Sequence, residues 1–151
     1  MRLQDVMTGK VRTITPTASA EDAWNVMRVH GIHHLVVTKE NRAIGILSDR
    51  DAGSRRGAAV RVNRSVGELM TAPAVTASPT MTVRQAANMM RGRSIGCLVV
   101  VDSGRPVGIV TVSDLLEVVG SGHDRGATTN ARHILNHRVP HKKVHTAVRA
   151  W

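Results

Sequence analysis

Two short constellations in this chain carry the residue types of ligand chemistry. Ser48 precedes Asp51 by three residues, and Thr111 precedes Asp114 by the same interval. A hydroxyl followed three residues later by a carboxylate forms a reciprocal cap at a helix start, each side chain accepting a backbone N–H. The same corner has a second use. The first turn of a helix offers free N–H groups and partial positive charge to a phosphate, and a carboxylate can accept two hydrogen bonds from a cis-diol. Capping and ligand binding draw on the same atoms, so the spacing alone leaves both readings open. Arg50 stands beside Asp51, where a guanidinium can fork onto phosphate oxygens, whereas Ser113 stands beside Asp114. Arg55 and Arg56 come about one helical turn later, as further phosphate contacts or as a solvated face.

The elements that must position these pairs are written twice. Residues 7–51 and 70–114 align without a gap at a shift of 63, and seventeen positions are then identical. They include Met7/Met70, Thr8/Thr71, Leu35/Leu98, Val36/Val99, Val37/Val100, Gly45/Gly108, Ile46/Ile109 and Asp51/Asp114. Solenoids need about three or more repeats to bury a continuous core, so two copies imply two units packed face to face. In copy one Ser19 is an N-cap with Asp22 three residues on. Ala20, Ala23, Trp24 and Met27 then make one helical face, and Gly31 ends it. In copy two Thr82 and Gln85 make the box, and Val83, Ala86, Ala87 and Met90 the face. A hairpin comes next in each: Leu35–Thr38 and Ala43–Leu47, then Leu98–Val101 and Val107–Val110, joined by turn residues. These strands are apolar on both faces, which implies cover by helices on at least one side. A second helix is expected from Ser48 and from Thr111. Val112, Leu115, Leu116 and Val119 give it a stripe in copy two. In copy one Asp49, Ala52, Gly53 and Arg56 give none, and Gly53 and Gly57 weaken it, so a short helix is expected there.

Composition narrows the function classes. The chain has 151 residues, 42% of them hydrophobic, enough for a packed interior. That interior is aliphatic, with no Phe or Tyr and only Trp24 and Trp151. The single cysteine, Cys97, excludes an intrachain disulfide and lies in an apolar run, so a structural thiol is expected rather than a nucleophile. A cytoplasmic location is expected from this cysteine use and from an N-terminal stretch without a secretory apolar segment. No stretch approaches the roughly 18 apolar residues of a membrane span. There is no phosphate-binding P-loop, no nucleophile elbow and no carboxylate pair outside the caps, so no catalytic residue and no enzyme activity are assigned.

The order of elements resembles the CBS-domain pair, or Bateman module. The residues that carry the resemblance are Val6-Met7-Thr8 and Leu69-Met70-Thr71 at the entry, and Gly31-Ile32-His33-His34-Leu35-Val36-Val37 at the first long strand. To these are added Gly45-Ile46-Leu47-Ser48-Asp49-Arg50-Asp51 and Gly108-Ile109-Val110-Thr111-Val112-Ser113-Asp114. The resemblance covers about residues 3–119. It implies an α/β fold of tandem CBS domains: two pseudo-symmetric β-α-β-β-α repeats packed sheet to sheet. The repeats are taken as residues 1–60 and 64–120, with 121–151 as a basic, His-rich C-terminal extension. It further implies a regulatory sensor of an adenine nucleotide (AMP, ADP or ATP) that acts through an unidentified protein partner and forms a disc-like homodimer. In that family the Asp holds both ribose hydroxyls and the Ser or Thr contacts phosphate, which assigns Ser48, Asp51, Thr111 and Asp114. The adenine pockets fall to Thr13, Ile14, His34 and Leu35 in copy one, and to Thr76, Ala77, Cys97 and Leu98 in copy two. With Arg50 beside it, the Asp51 site is expected to be the better one for a charged nucleotide. Another adenosyl ligand, S-adenosylmethionine or NADH, is a weaker alternative.

The formal charge of +10 is concentrated at one end. Residues 120–151 hold six Lys and Arg against one acid, and five of the eight histidines. Arg132, Arg138, Lys142, Lys143 and Arg149 would suit sequence-independent phosphate contacts, so a nucleic-acid-binding protein with the repeats as dimer scaffold is the second hypothesis. Against it, Trp151 is the only aromatic there for stacking. His133, His137, His141 and His145 recur every four residues, but Pro140 interrupts a helix among them, and no metal site is assigned.

Overall fold

The computed structural model describes residues 1–122. The expectations for the basic extension, including its histidines, its nucleic-acid contacts and Trp151, fall outside the described residues from 123 onward. The elements run α1 (Leu3–Val6), β1 (Thr13–Ile14), α2 (Ala20–His30), β2 (His34–Lys39), β3 (Arg42–Ser48), α3 (Ala58–Arg61), α4 (Val66–Leu69), β4 (Thr76–Ala77), α5 (Val83–Arg93), β5 (Cys97–Asp102), β6 (Arg105–Thr111) and α6 (Val112–Gly120). None of these helices is long and apolar enough to cross a membrane.

Local chemistry explains most of the boundaries. Ser19 Oγ accepts the Asp22 N–H at 3.1 Å and starts α2, though only this half of the expected box forms. Gly31, at φ 63°, ends the helix in the left-handed conformation. In α5 both halves form: Gln85 N–H donates to Thr82 Oγ1 at 3.1 Å and Thr82 N–H donates to Gln85 Oε1 at 3.0 Å. The hairpins turn on Glu40-Asn41 and Ser103-Gly104, all four with positive φ, which is the two-residue turn whose twist matches the flanking strands.

Each repeat builds a three-stranded sheet, β1-β2-β3 and β4-β5-β6, in which the short first strand lies parallel to the second and the third returns antiparallel. The two-residue period of a strand sorts the apolar runs onto two faces. Leu35 and Val37 point to one helix-side core with Ala23, Met27 and Leu47, and Leu98 and Val100 point to another with Ala86, Met90 and Val110. Val36 and Val99, the residues between them, meet with Ile46 in a third cluster where the two sheets pack together.

The repeats are interlocked at their entries. Thr8 N–H donates to the Ile109 carbonyl and Ile109 N–H to the Thr8 carbonyl, each at 3.0 Å. Thr71 and Ile46 exchange the equivalent bonds at 2.8 and 3.0 Å. Each entry segment thus extends the sheet of the other repeat. Leu3 of α1 is buried in the second repeat's core and Val66 of α4 in the first's. Gly45 and Gly108 lie under these crossings, where a Cβ would strike the Met70 and Met7 side chains respectively.

One expected element does not form. The Ser48–Asp51 cap is made, but residues 49–56 are turns and not an α-helix. Gly53 at φ 86° and Ser54 at φ 55° leave the helical region, and a Cβ on Gly53 would strike the Gly57 carbonyl oxygen. The carbonyls that a helix would have satisfied are instead met by Arg61. Its Nη1 donates to Ala52 O at 2.7 Å and Ser54 O at 2.8 Å, its Nε to Glu21 Oε2 at 3.2 Å, and its guanidinium lies 4.4 Å from the Trp24 ring. Arg61 is 4% exposed.

Candidate functional site

The crossing of the entry segments opens two clefts along the seam between the sheets, and each draws walls from both repeats. The larger, about 660 Å³, is lined by Thr8, Lys10, Val11 and Arg12 from the segment before β1 and by Ile32, His33 and His34 at the start of β2. Ser48, Asp49 and Arg50 come after β3 on the same wall, and Ile109, Thr111, Ser113 and Asp114 come from the other repeat. The smaller, about 310 Å³, is lined by Thr71, Ala74 and Val75, by Ser94, Ile95, Gly96 and Cys97, and by Ile46, Ser48 and Asp51 from the other repeat, with His34 between the two. A shift of 63 carries much of one cleft's lining into the other's.

Asp114 sits at the start of α6. Its Oδ2 accepts the Thr111 N–H at 2.8 Å and the Thr111 hydroxyl at 3.1 Å. This cap opens a nine-residue helix whose positive end points into the larger cleft. Asp51 Oδ2 accepts the Ser48 N–H at 3.0 Å and Ser48 Oγ accepts the Asp51 N–H at 3.0 Å, but only turns come after it. Both carboxylates are partly exposed, with lone pairs left for a ligand hydroxyl.

The clefts assemble their groups in trans, which changes how the expected residues combine. Asp51 shares a cleft with Cys97 of the second repeat. Asp114 and Thr111 share one with His34 of the first, so each carboxylate works with the strand of the opposite repeat. Arg50, expected to serve Asp51, lines the Asp114 cleft together with Lys10 and Arg12. Lys10, Arg12 and Arg50 thus line the cleft at Asp114, and none of them lines the cleft at Asp51. Leu35 and Leu98 are fully buried on the helix side of their strands and line neither cleft, because the alternation that aims His34 and Cys97 at the seam turns the next residue away. Ile14 and Ala77 pack into those same helix-side cores, and Thr13 and Thr76 are exposed beside the central strands, outside both clefts. The groups that sequence reasoning missed are Thr8, Lys10, Arg12 and His33 in the larger cleft and Ile95 and Gly96 in the smaller. The identities Met7/Met70 and Thr8/Thr71 were the signals pointing at the entry segments.

Burial and neighbouring charge tune two groups here. Burial lowers the His34 pKa from its ordinary 6.5, partly opposed by Asp49, and favours the neutral ring. Burial, with the Asp114 charge nearby, pushes the Cys97 thiol up to about 12. Cys97 is thus an apolar wall rather than a nucleophile. At the cleft mouth exposed His33 meets Asp49, Nδ1 to Oδ2, at 2.9 Å.

The CBS-domain family model matches residues 3–52 and 66–121. The CBS domain-containing protein YhcV of Bacillus subtilis is 32% identical over 133 residues, covering 87% of this chain and 95% of that protein. An inosine-5′-monophosphate dehydrogenase of Korarchaeum cryptofilum is 31% identical over 115 residues, but this chain spans only 23% of its length. Among solved structures, the CBS domain pair of protein MJ0100, in complex with 5′-methylthioadenosine and S-adenosyl-L-methionine, superposes with a TM-score of 0.70 at 28% identity, covering 80% of this chain and 96% of that one.

Proposed function

This chain belongs to the CBS-domain family, and from that premise we propose that it is a regulatory module that binds an adenine nucleotide and passes the signal to a protein partner. The observation that carries the reading is the larger cleft. It brings Asp114, with spare acceptor capacity at a helix start, together with the cations Lys10, Arg12 and Arg50 from the opposite repeat. A nucleotide needs this division: an acceptor for the ribose diol, and cations with helix N–H groups for the phosphate. The volume lies within the roughly 300–1,000 Å³ of small-molecule sites. The walls Val11, Ile32, Val36 and Ile109 give the base an aliphatic bed in place of an aromatic one. The solved MJ0100 pair with its adenosyl ligands supports the ligand class. The walls come from both repeats, so a ligand that bridges them biases their relative orientation, and that bias is the signal a partner reads. We further propose that the module works as a homodimer without catalytic activity of its own.

Calorimetry with AMP, ADP and ATP tests the reading. Saturable binding is expected, weakened about tenfold or more by Asp114→Ala, the loss of a charge-assisted acceptor. If none of the three binds, or if binding survives both Asp114→Ala and Asp51→Ala unchanged, the reading fails.

A further inference from the structure

The two clefts share a backbone plan but not a charge. The cations of the larger cleft, Lys10, Arg12 and Arg50, correspond at a shift of 63 to Pro73, Val75 and Ser113, and His33 corresponds to Gly96. Among the described residues, the smaller cleft is lined by a single carboxylate, Asp51, and by no Lys or Arg. Its remaining walls are the small or apolar Ile46, Ala74, Val75, Ile95 and Cys97 with a few hydroxyls and His34. A phosphate placed there would face Asp51 with no counter-charge and no helix dipole, since Ser48 opens only turns. At about 310 Å³ the cleft also has less than half the volume of its partner. A ribose diol and a heterocycle suit it; a dianionic phosphate does not.

We propose that the two clefts take two chemically different ligands at once: a phosphorylated adenine nucleotide in the Asp114 cleft, and a phosphate-free adenosyl compound, neutral or cationic, in the Asp51 cleft. The inference rests on the adenosine reading above and adds which class each cleft selects. The specificity-determining residues are Lys10, Arg12 and Arg50 on one side and Asp51 on the other. The chain then reports two metabolites jointly, and the wall shared at His34 and Ser48 is where occupancy of one cleft meets the other.

The test is titration calorimetry of the full chain with AMP, 5′-methylthioadenosine and S-adenosylmethionine, singly and each in the presence of another at saturation. AMP and methylthioadenosine are expected to bind together, one each per chain. Lys10 and Arg50 are exposed, so the double substitution Lys10→Ala with Arg50→Ala keeps the fold. It is expected to weaken AMP about tenfold or more and to leave methylthioadenosine within about twofold. Asp51→Asn is expected to do the reverse. Raising salt from about 0.05 to about 0.3 M should weaken AMP and leave neutral methylthioadenosine unchanged. Competition of AMP with methylthioadenosine for a single site, or equal weakening of both by the double substitution, overturns the two-class assignment while leaving nucleotide binding intact. Failure of all three ligands to bind overturns the nucleotide reading itself and this assignment with it.

Discussion

The two repeats begin their last element in the same way and finish it differently. At Thr111 the hydroxyl–carboxylate cap launches α6, with Leu115 and Val118 buried. At Ser48 a reciprocal cap of the same kind launches only turns, and a buried arginine nine residues beyond Ala52 holds the carbonyls together. A cap is therefore a start signal and not a helix. The residues after the cap must bury an apolar stripe, and Asp49-Arg50-Asp51-Ala52-Gly53 has none to bury. The segment after β3 supplies Arg50 to the cleft that Asp114 lines.

Substitutions can break or sharpen this comparison. The largest expected effect falls where the repeats agree. Leu35 and Leu98 are both fully buried on the helix side of their sheets, so Leu35→Ala and Leu98→Ala should each cost about 2–5 kcal/mol, read by urea unfolding. Costs that differ by more than about 2 kcal/mol would show that the two cores are not equivalent. Next comes the arginine peculiar to repeat one. Arg61→Ala removes two hydrogen bonds to backbone carbonyls and the stack on Trp24, and should cost about 2–3 kcal/mol by the same measurement. The ion pair with Glu21 adds little because Glu21 is 54% exposed in its side chain. A loss under about 0.5 kcal/mol would show that water replaces the guanidinium freely.

The caps should differ by less. Thr111→Ala is expected to cost about 1 kcal/mol by thermal unfolding, since nine residues depend on that start, and Ser48→Ala only a few tenths. Equal costs would contradict the distinction between a cap with a helix and one without. The smallest effect concerns His34, whose counterpart is Cys97. Its pKa is lowered in the folded protein, so the unfolded chain takes up the proton first as pH falls below 6.5. Stability should decline through that window and the decline should stop once the folded value is passed. His34→Gln should reduce the drop in melting temperature between about pH 7.5 and 5.5 by under about 4 °C. A steeper decline in the variant would mean that His34 is held charged in the fold.

Much of the scaffold was legible beforehand because its causes are local. The caps at Ser19 and Thr82, the stop at Gly31 and the turn residues between the paired strands depend on residues within one helical or hairpin turn of each other. The chain in the same way determined the 63-residue repeat, the two-sided apolar strands and the two hydroxyl–carboxylate pairs. The composition of the clefts was not legible. It depends on Thr8 meeting Ile109 and Thr71 meeting Ile46, contacts whose partners are distant in sequence and whose pattern resembles any other strand edge. Nor could Arg61 be told from its neighbours Arg55, Arg56 and Arg64, because its role exists only once a failed helix leaves carbonyls to satisfy. The sequence determined that there would be two equivalent carboxylates. Only the tertiary crossing decided that Lys10, Arg12 and Arg50 all face Asp114, since side chains far apart in the chain share a cleft only when the backbones between them have crossed.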